Sequence, residues 1–211
     1  MEQAVNEAGN NGILAVCKRK KNDKSPATFY ADRMIFAGET VLYSDVETIN
    51  LYASSTTWNF FFESYSGYVK IALRNGKKLK WKTGGSAVFG IGGVKKKKEF
   101  FRDMYAASLS TFVNARAMQY LEQIRRGETV AIAGVTLNAQ EASGKSGLKK
   151  VSWPIAELTN AEIVNGSVYI GKTGKPDRAF NFIPSSADNA ICLIPLINAL
   201  AAGNNQPAAQ E

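Results

Sequence analysis

Histidine is absent from all 211 residues. Without it there is no imidazole general base, no Ser-His or Cys-His couple and no histidine metal ligand. Cysteine is almost as scarce, with only Cys17 and Cys192. Two isolated cysteines are too few for a thiolate zinc site or a disulfide framework, and they fit a reducing compartment. A long hydrophobic run is missing too. The longest apolar stretch, Ala190 to Ala202, contains Pro195 and Asn198 and falls short of the roughly 20 residues that a helix needs to cross a bilayer. The opening residues, Met1 to Gly12, are polar and acidic and lack the basic start and apolar centre of a signal peptide. Asp45, Glu47, Asp103 and Glu122 show no spacing that marks a carboxylate pair for acid–base work. These absences predict a non-enzymatic cytoplasmic protein with no metal and no cofactor, touching a membrane only at its surface.

What is present is an ordinary globular composition, 45% apolar and 21% charged, enough to build a core. Lysine plus arginine exceed aspartate plus glutamate by 26 to 18, a net charge of +8. A basic excess favours anionic partners.

Residues 1–27 lack periodicity and predict a flexible arm with one short strand at Ile13 to Cys17. Phe29 to Ala37 and Thr40 to Tyr43 follow as strands separated by Gly38. Val46, Ile49, Leu51 and Tyr52 are rich in β formers, and Trp58 to Phe62 is a dense aromatic run. Tyr68 to Leu73 and Lys77 to Lys82 flank Asn75-Gly76, whose tolerance of positive φ marks a hairpin. On the return strand Lys78, Lys80 and Lys82 alternate with Leu79 and Trp81, so the lysines form one solvated stripe and Leu79 and Trp81 face inward. Thr83 to Val94 reads as a glycine-rich connection, followed by Lys95, Lys96, Lys97 and Lys98. A helix is expected over about 99–125, with one apolar face from Phe101 to Ile124 and Gly127 as its cap.

The second half repeats the order. Val130, Ile132, Val135 and Leu137 are strand-like, Ser143 to Gly147 reads as a loop, and Leu148 to Trp153 as a strand. Ala161 to Val164 and Ser167 to Gly171 flank Asn165-Gly166, Thr173 to Asp177 is a turn, and Arg178 to Ile183 a final strand. A closing helix is expected at about 187–201, kinked or shifted by Pro195, and 203–211 is a polar, disordered tail. The order strands, helix, strands, helix suggests an internal duplication, with Tyr43, Val46 and Ile49 answering Trp153, Ile155 and Leu158.

Val130-Ala-Ile-Ala-Gly134, Leu148-Lys-Lys-Val-Ser-Trp153-Pro-Ile155, the Asn165-Gly166 hairpin and the helix with Leu193 and Leu196 resemble the pleckstrin-homology-like domains of bacterial proteins of unknown function. The resemblance implies a mainly β fold with α (α+β). It implies two tandem bent β-barrels or sheets, each capped by a C-terminal helix: a first domain over 28–126 and a second over 127–202. It also implies binding or scaffolding rather than catalysis, and assigns no functional residues.

The binding candidates are two lysine clusters. Lys95 to Lys98, after Gly90-Ile-Gly-Gly93, place four ammonium groups where backbone amides and a helix dipole favour an anion; the plainer reading is a solvated charge run. Lys78, Lys80 and Lys82 offer a second basic surface, or serve to guard a sheet edge against pairing. Lys18 to Lys21 with Lys24 lack the interleaved aromatics of a nucleic-acid arm. Cys17 beside them invites a lowered thiol pKa, though no pocket is evident. Gly166 to Thr173 matches the P-loop letters G-x-x-x-x-G-K-T, but β formers stand where the loop belongs and Gly174 and Pro176 where a helix belongs. The aromatics Trp58, Phe60, Phe61, Phe62, Tyr65 and Tyr68 have the composition of a ligand-cavity lining, but such residues are far more often core, and the core is expected. The expected role is therefore a binding or scaffold protein for a protein partner. The alternatives are peripheral binding to anionic lipid headgroups through the basic loops, and nucleotide chemistry at Gly166 to Thr173.

Overall fold

The computed structural model describes residues 12–18, 26–36, 38–58, 62–88, 93–164, 166–174, 178–180 and 183–204. Four short strands open the chain: β1 (Ala15–Cys17), β2 (Ala27–Phe29), β3 (Arg33–Phe36) and β4 (Glu39–Leu42). They pair as an antiparallel meander. The stretch read as one strand from Phe29 to Ala37 is broken at Tyr30–Asp32, and Tyr30 N–H closes the bend on Arg33 O at 2.8 Å. A single 3₁₀ turn at Tyr43–Asp45 leads into β5 (Val46–Trp58), β6 (Phe62–Leu73) and β7 (Lys78–Val88), a second antiparallel sheet. Asn75-Gly76 makes the expected tight turn, with Gly76 at φ +82°.

Two expectations fail here. Gly84 and Gly85 do not lie in a connecting loop, because β7 runs on to Val88. These strand glycines answer close approach: a Cβ on Gly84 would stand 2.9 Å from Tyr65 O, and one on Gly85 would collide with the Lys97 ammonium. The helix also begins earlier than predicted, at Val94, with Gly93 at positive φ as its N-cap. Lys95 to Lys98 therefore form its first turn, because lysine is a good helix former and a run of four does not resist helix.

Helix α1 (Val94–Ser108) continues through a π segment, Leu109–Val113, into α2 (Asn114–Arg125). Thr111 leaves helical geometry at φ −119°, ψ −105°. Ser108 and Thr111 each donate a side-chain hydrogen bond to the carbonyl four residues back, Met104 O at 2.7 Å and Ala107 O at 2.5 Å. Such back-bonding and an extra π residue are recognised causes of helix bending. Gly127 ends α2 at φ +83° as expected.

The second half repeats the pattern. A four-stranded meander comes first: β8 (Val130–Ile132), β9 (Val135–Leu137), β10 (Glu141–Ser146) and β11 (Lys149–Pro154). A 3₁₀ turn at Ile155–Glu157 leads to β12 (Leu158–Val164), β13 (Ser167–Lys172) and β14 (Ile183–Pro184). Ser143 to Gly147, expected as a loop, is mostly β10, paired in full with β11. Within the final strand expected over Arg178–Ile183, the described residues show a bridge between Gly171 and Arg178 and the start of β14 at Ile183, and Asn181 and Phe182 lie outside the described residues. The closing segment is a 3₁₀ turn at Ala190–Cys192 followed by α3 (Leu193–Asn204). Pro195 falls in the first turn of α3, where its missing N–H has no intrahelical partner to lose; of the two expected effects, a kink or a shifted start, the shift appears, from about 187 to Leu193.

The halves correspond with a different alignment from the one the sequence suggested. The same spacing separates Tyr43 from Ile155, Val46 from Leu158 and Ile49 from Ala161. Tyr43 and Ile155 each open a 3₁₀ turn. Both following strands carry a register shift at their start, between Val46 and Thr48 and between Leu158 and Ala161.

Buried side chains from both halves form one contiguous core. In the first half Phe112 stacks on Phe29 at 6.4 Å, and Trp81 meets Phe36 and Phe100 edge-on at 5.3 and 5.2 Å. Asn189 ties the halves together. Its side-chain oxygen accepts from Ile49 N–H at 2.9 Å, its own N–H donates to Ile49 O, and its amide donates to Glu47 O and to Tyr120 Oη. β5 is an edge strand, and these bonds satisfy backbone groups that would otherwise be open. Asn198 treats the edge of β12 likewise, accepting from Ala161 N–H at 2.8 Å and donating to Ala161 O at 3.3 Å.

Candidate functional site

In a sheet that pairs Ile49 with Ile71 and Ile71 with Leu79, side chains alternate faces. Ile49, Leu51, Val69, Ile71, Leu79 and Trp81 are buried beneath α1 and its continuation. The opposite face carries Asn50, Lys70 and Lys80 in one row and Tyr52, Tyr68 and Lys82 in the next. Lys78, Lys80 and Lys82 are exposed while Leu79 and Trp81 are buried, as the alternation predicted.

The structure adds three members to this stripe that sequence reading missed. Lys70 sits directly across from Lys80. Tyr68, expected in the core, lies on the outer face and stacks on Tyr52 at 5.2 Å. The ammonium groups of Lys70 and Lys80 stand over the Tyr68 ring at 4.8 and 4.9 Å. Partial desolvation on the sheet, then the charges of Lys70 and Lys82, push the Lys80 ammonium below the ordinary lysine value. Among the described residues, none of Lys70, Lys78, Lys80 and Lys82 has a carboxylate within ion-pair distance. A signal for Lys70 was available, since Asn75-Gly76 fixes the register of β6 on β7.

Lys95 to Lys98 do not join this surface. α1 packs on the buried face of the sheet, through Phe100 on Trp81 and Phe101 on Tyr65 at 6.1 Å. Lys97 donates to Gly84 O at 2.6 Å, and Lys98 forms an ion pair with Glu63. Half of the run thus has partners within the chain; Lys95 and Lys96 remain exposed.

Beside α1 lies a cavity of about 570 Å³. Leu51 and Ala53 of β5, Tyr65 of β6, Phe101 and Tyr105 of α1 and Ile163 of β12 form its apolar walls, and Lys98 and Arg102 also line it. Of the aromatic run only Tyr65 lines this cavity among the described residues; the other walls were not legible in the sequence, because they come from segments that only the packed halves bring together.

The remaining candidates resolve differently. Gly166 to Thr173 spans β13, an antiparallel strand rather than a phosphate loop. Lys172 stands 3.8 Å over the Trp153 ring and donates to Thr173 O at 3.2 Å, its side chain only 9% exposed. The Cys17 thiol is buried, and burial followed by the charge of Asp103 pushes it up to about 11, the reverse of the lowered value expected. Lys20, Lys21 and Lys24 of the basic arm, with Phe60, Phe61, Asn165 and Pro176, lie outside the described residues. Among the described residues no cluster of three His, Cys, Asp or Glu stands ready for a metal, and no helix is long and apolar enough to cross a membrane.

Comparison of the chain with family models, with curated proteins and with solved structures gave no match.

Proposed function

We propose that this is a non-catalytic binding protein built of two pleckstrin-homology-like units in tandem, which presents the outer face of β5–β6–β7 to an anionic membrane surface. The twice-repeated order of a four-stranded meander, a 3₁₀ turn, a three-stranded sheet and a helix supports the tandem reading. The observation that carries the binding reading is the stripe of Lys70, Lys78, Lys80 and Lys82 on one sheet face, none of which has a carboxylate within ion-pair distance among the described residues. Like charges directly opposite one another, as in Lys70 and Lys80, weaken a sheet. An anionic partner would relieve that repulsion. Lysines near an anionic bilayer contribute about 1 kcal/mol each, so four give about 4 kcal/mol, a dissociation constant near the millimolar range. Attachment of that strength is reversible and sensitive to salt.

The test is co-sedimentation with phosphatidylserine-containing and with neutral vesicles at low and high salt. Binding to the anionic vesicles alone is expected, lost at high salt and in the quadruple Lys70, Lys78, Lys80, Lys82→Gln variant. Salt-independent binding, or full binding by the variant, overturns the proposal. No binding at all also overturns it and directs the search to a protein partner.

A further inference from the structure

The cavity beside α1 has a composition distinct from the lysine face. Lys98, Phe101, Arg102 and Tyr105 follow one another at three- and four-residue steps on α1, so they share one helix face. The two rings join Tyr65, Leu51 and Ile163 in an apolar wall, and the two cations flank it. Tyr65 is 7% exposed, whereas the Arg102 side chain is 74% exposed. The rings therefore form the floor and the guanidinium stands at the mouth. Among the described residues neither the Tyr65 nor the Tyr105 hydroxyl has a hydrogen-bond partner. A phenol keeps its proton at neutral pH, and burial, which pushes both up to about 12, favours that form further, so each can donate to an acceptor in the cavity.

A volume of about 570 Å³ lies within the range of roughly 300–1,000 Å³ that small-molecule sites occupy, and such sites combine apolar walls with a few placed polar groups. We propose that the cavity binds a single-chain amphipathic carboxylate, with its hydrocarbon body between Tyr65, Phe101 and Ile163 and its carboxylate at Arg102. The apolar wall accounts for the chain. The cation at the mouth and the two spare phenol donors account for an anionic head rich in acceptors. Because Leu51 and Ala53 come from the first half and Ile163 from the second, the occupant would contact both.

The experiment is calorimetric titration of the full chain with decanoate below its micelle concentration, and with decanol as the uncharged counterpart. Saturable one-to-one binding of decanoate is expected, at least tenfold tighter than decanol. Arg102→Gln, at an exposed position that leaves folding intact, is expected to weaken decanoate about tenfold, or about 1.4 kcal/mol, and to leave decanol unchanged. Ile163→Trp, with its fold verified by a cooperative urea transition, is expected to abolish both. No saturable decanoate binding, equal affinity for the two probes, or an Arg102→Gln variant that binds decanoate as tightly as the parent overturns the proposal. Tyr52 borders both the cavity and the lysine face, but none of Lys70, Lys78, Lys80 and Lys82 lines the cavity, so the quadruple lysine variant is expected to retain decanoate binding.

Discussion

In the first half the three-stranded sheet runs 13, 12 and 11 residues; its counterpart in the second half runs 7, 6 and 2. The extension of β5 and β6 past the Tyr52–Tyr68 stack carries Tyr65, which is buried in the core and lines the cavity, and β7 adds the buried Ala87. In the second half Arg178 lies over Tyr169 at 4.9 Å and Lys172 over Trp153 with Glu157 at 3.9 Å, while Lys145 and Lys150 face each other, exposed, across β10 and β11. The halves thus differ in where the open charge sits: on the long three-stranded sheet in the first, and on the four-stranded meander in the second. Asn189 of the second half braces the first by binding the edge of its long sheet at Glu47 and Ile49.

The strongest way to break this division is at the two asparagines. Asn189 reaches from the second half into the first, is only 8% exposed, and adopts φ +59°. Asn189→Ala strands Ile49 N–H and Glu47 O and places alanine in the left-handed region. The expected loss is about 3–5 kcal/mol, from unmet buried polar groups and backbone strain together. Asn198→Ala removes the corresponding bonds within the second half from a more exposed position, and about 1 kcal/mol is expected. Urea denaturation of the two variants measures the difference, and equal losses would refute the bracing role of Asn189.

A smaller effect, readable in both halves, comes from the thiols. Burial pushes Cys17 up to about 11 and Cys192, offset partly by Arg116, up to about 12, from an ordinary value of 9.0. Their folded pKa values lie above the unfolded one, so the stabilisation they give is complete below pH 9 and is lost as pH rises through about 11 to 12. The urea midpoint is expected to fall above pH 9, and to fall less in Cys17→Ala and Cys192→Ala. Thiol labelling at pH 8 sharpens the comparison. Cys17, on the three-residue strand β1, is expected to react before Cys192, and the reverse order would place the weaker half second.

The smallest expected effect concerns the stripe itself. Lys80→Glu converts the cross-strand Lys70–Lys80 repulsion into attraction and should raise stability slightly, an effect that salt diminishes. A destabilised Lys80→Glu would show that the like-charge pair carries no strain.

The legible parts of the fold were local. Asn75-Gly76, the alternation from Lys78 to Lys82 and the Gly127 cap rest on neighbours in sequence, and all three appear in the structure. The misread parts depend on distant atoms. Gly84 and Gly85 look like loop residues until Tyr65 and Lys97 are packed against them, and Ser143 to Gly147 looks like a loop until β11 pairs with it. The bend at Thr111 was hidden because serine and threonine back-bonding leaves the apolar periodicity of the helix intact. Of the candidate site, the three hairpin lysines were visible; Lys70 and the tyrosines were not, because they belong to it only across the ladder. Lys95 to Lys98 were visible as charge and misplaced as structure.

The clamp on β5 also sets an order of events during synthesis. Ile49 precedes Asn189 by 140 residues, and a ribosome adding about 5–20 residues per second takes roughly 7–30 s to cover that distance. From the completion of β7 at Val88 until Asn189 is made, the outer edge of β5 lacks the residue that later caps it at Glu47 and Ile49. A nascent chain in this state is a template for strand addition by a neighbouring chain.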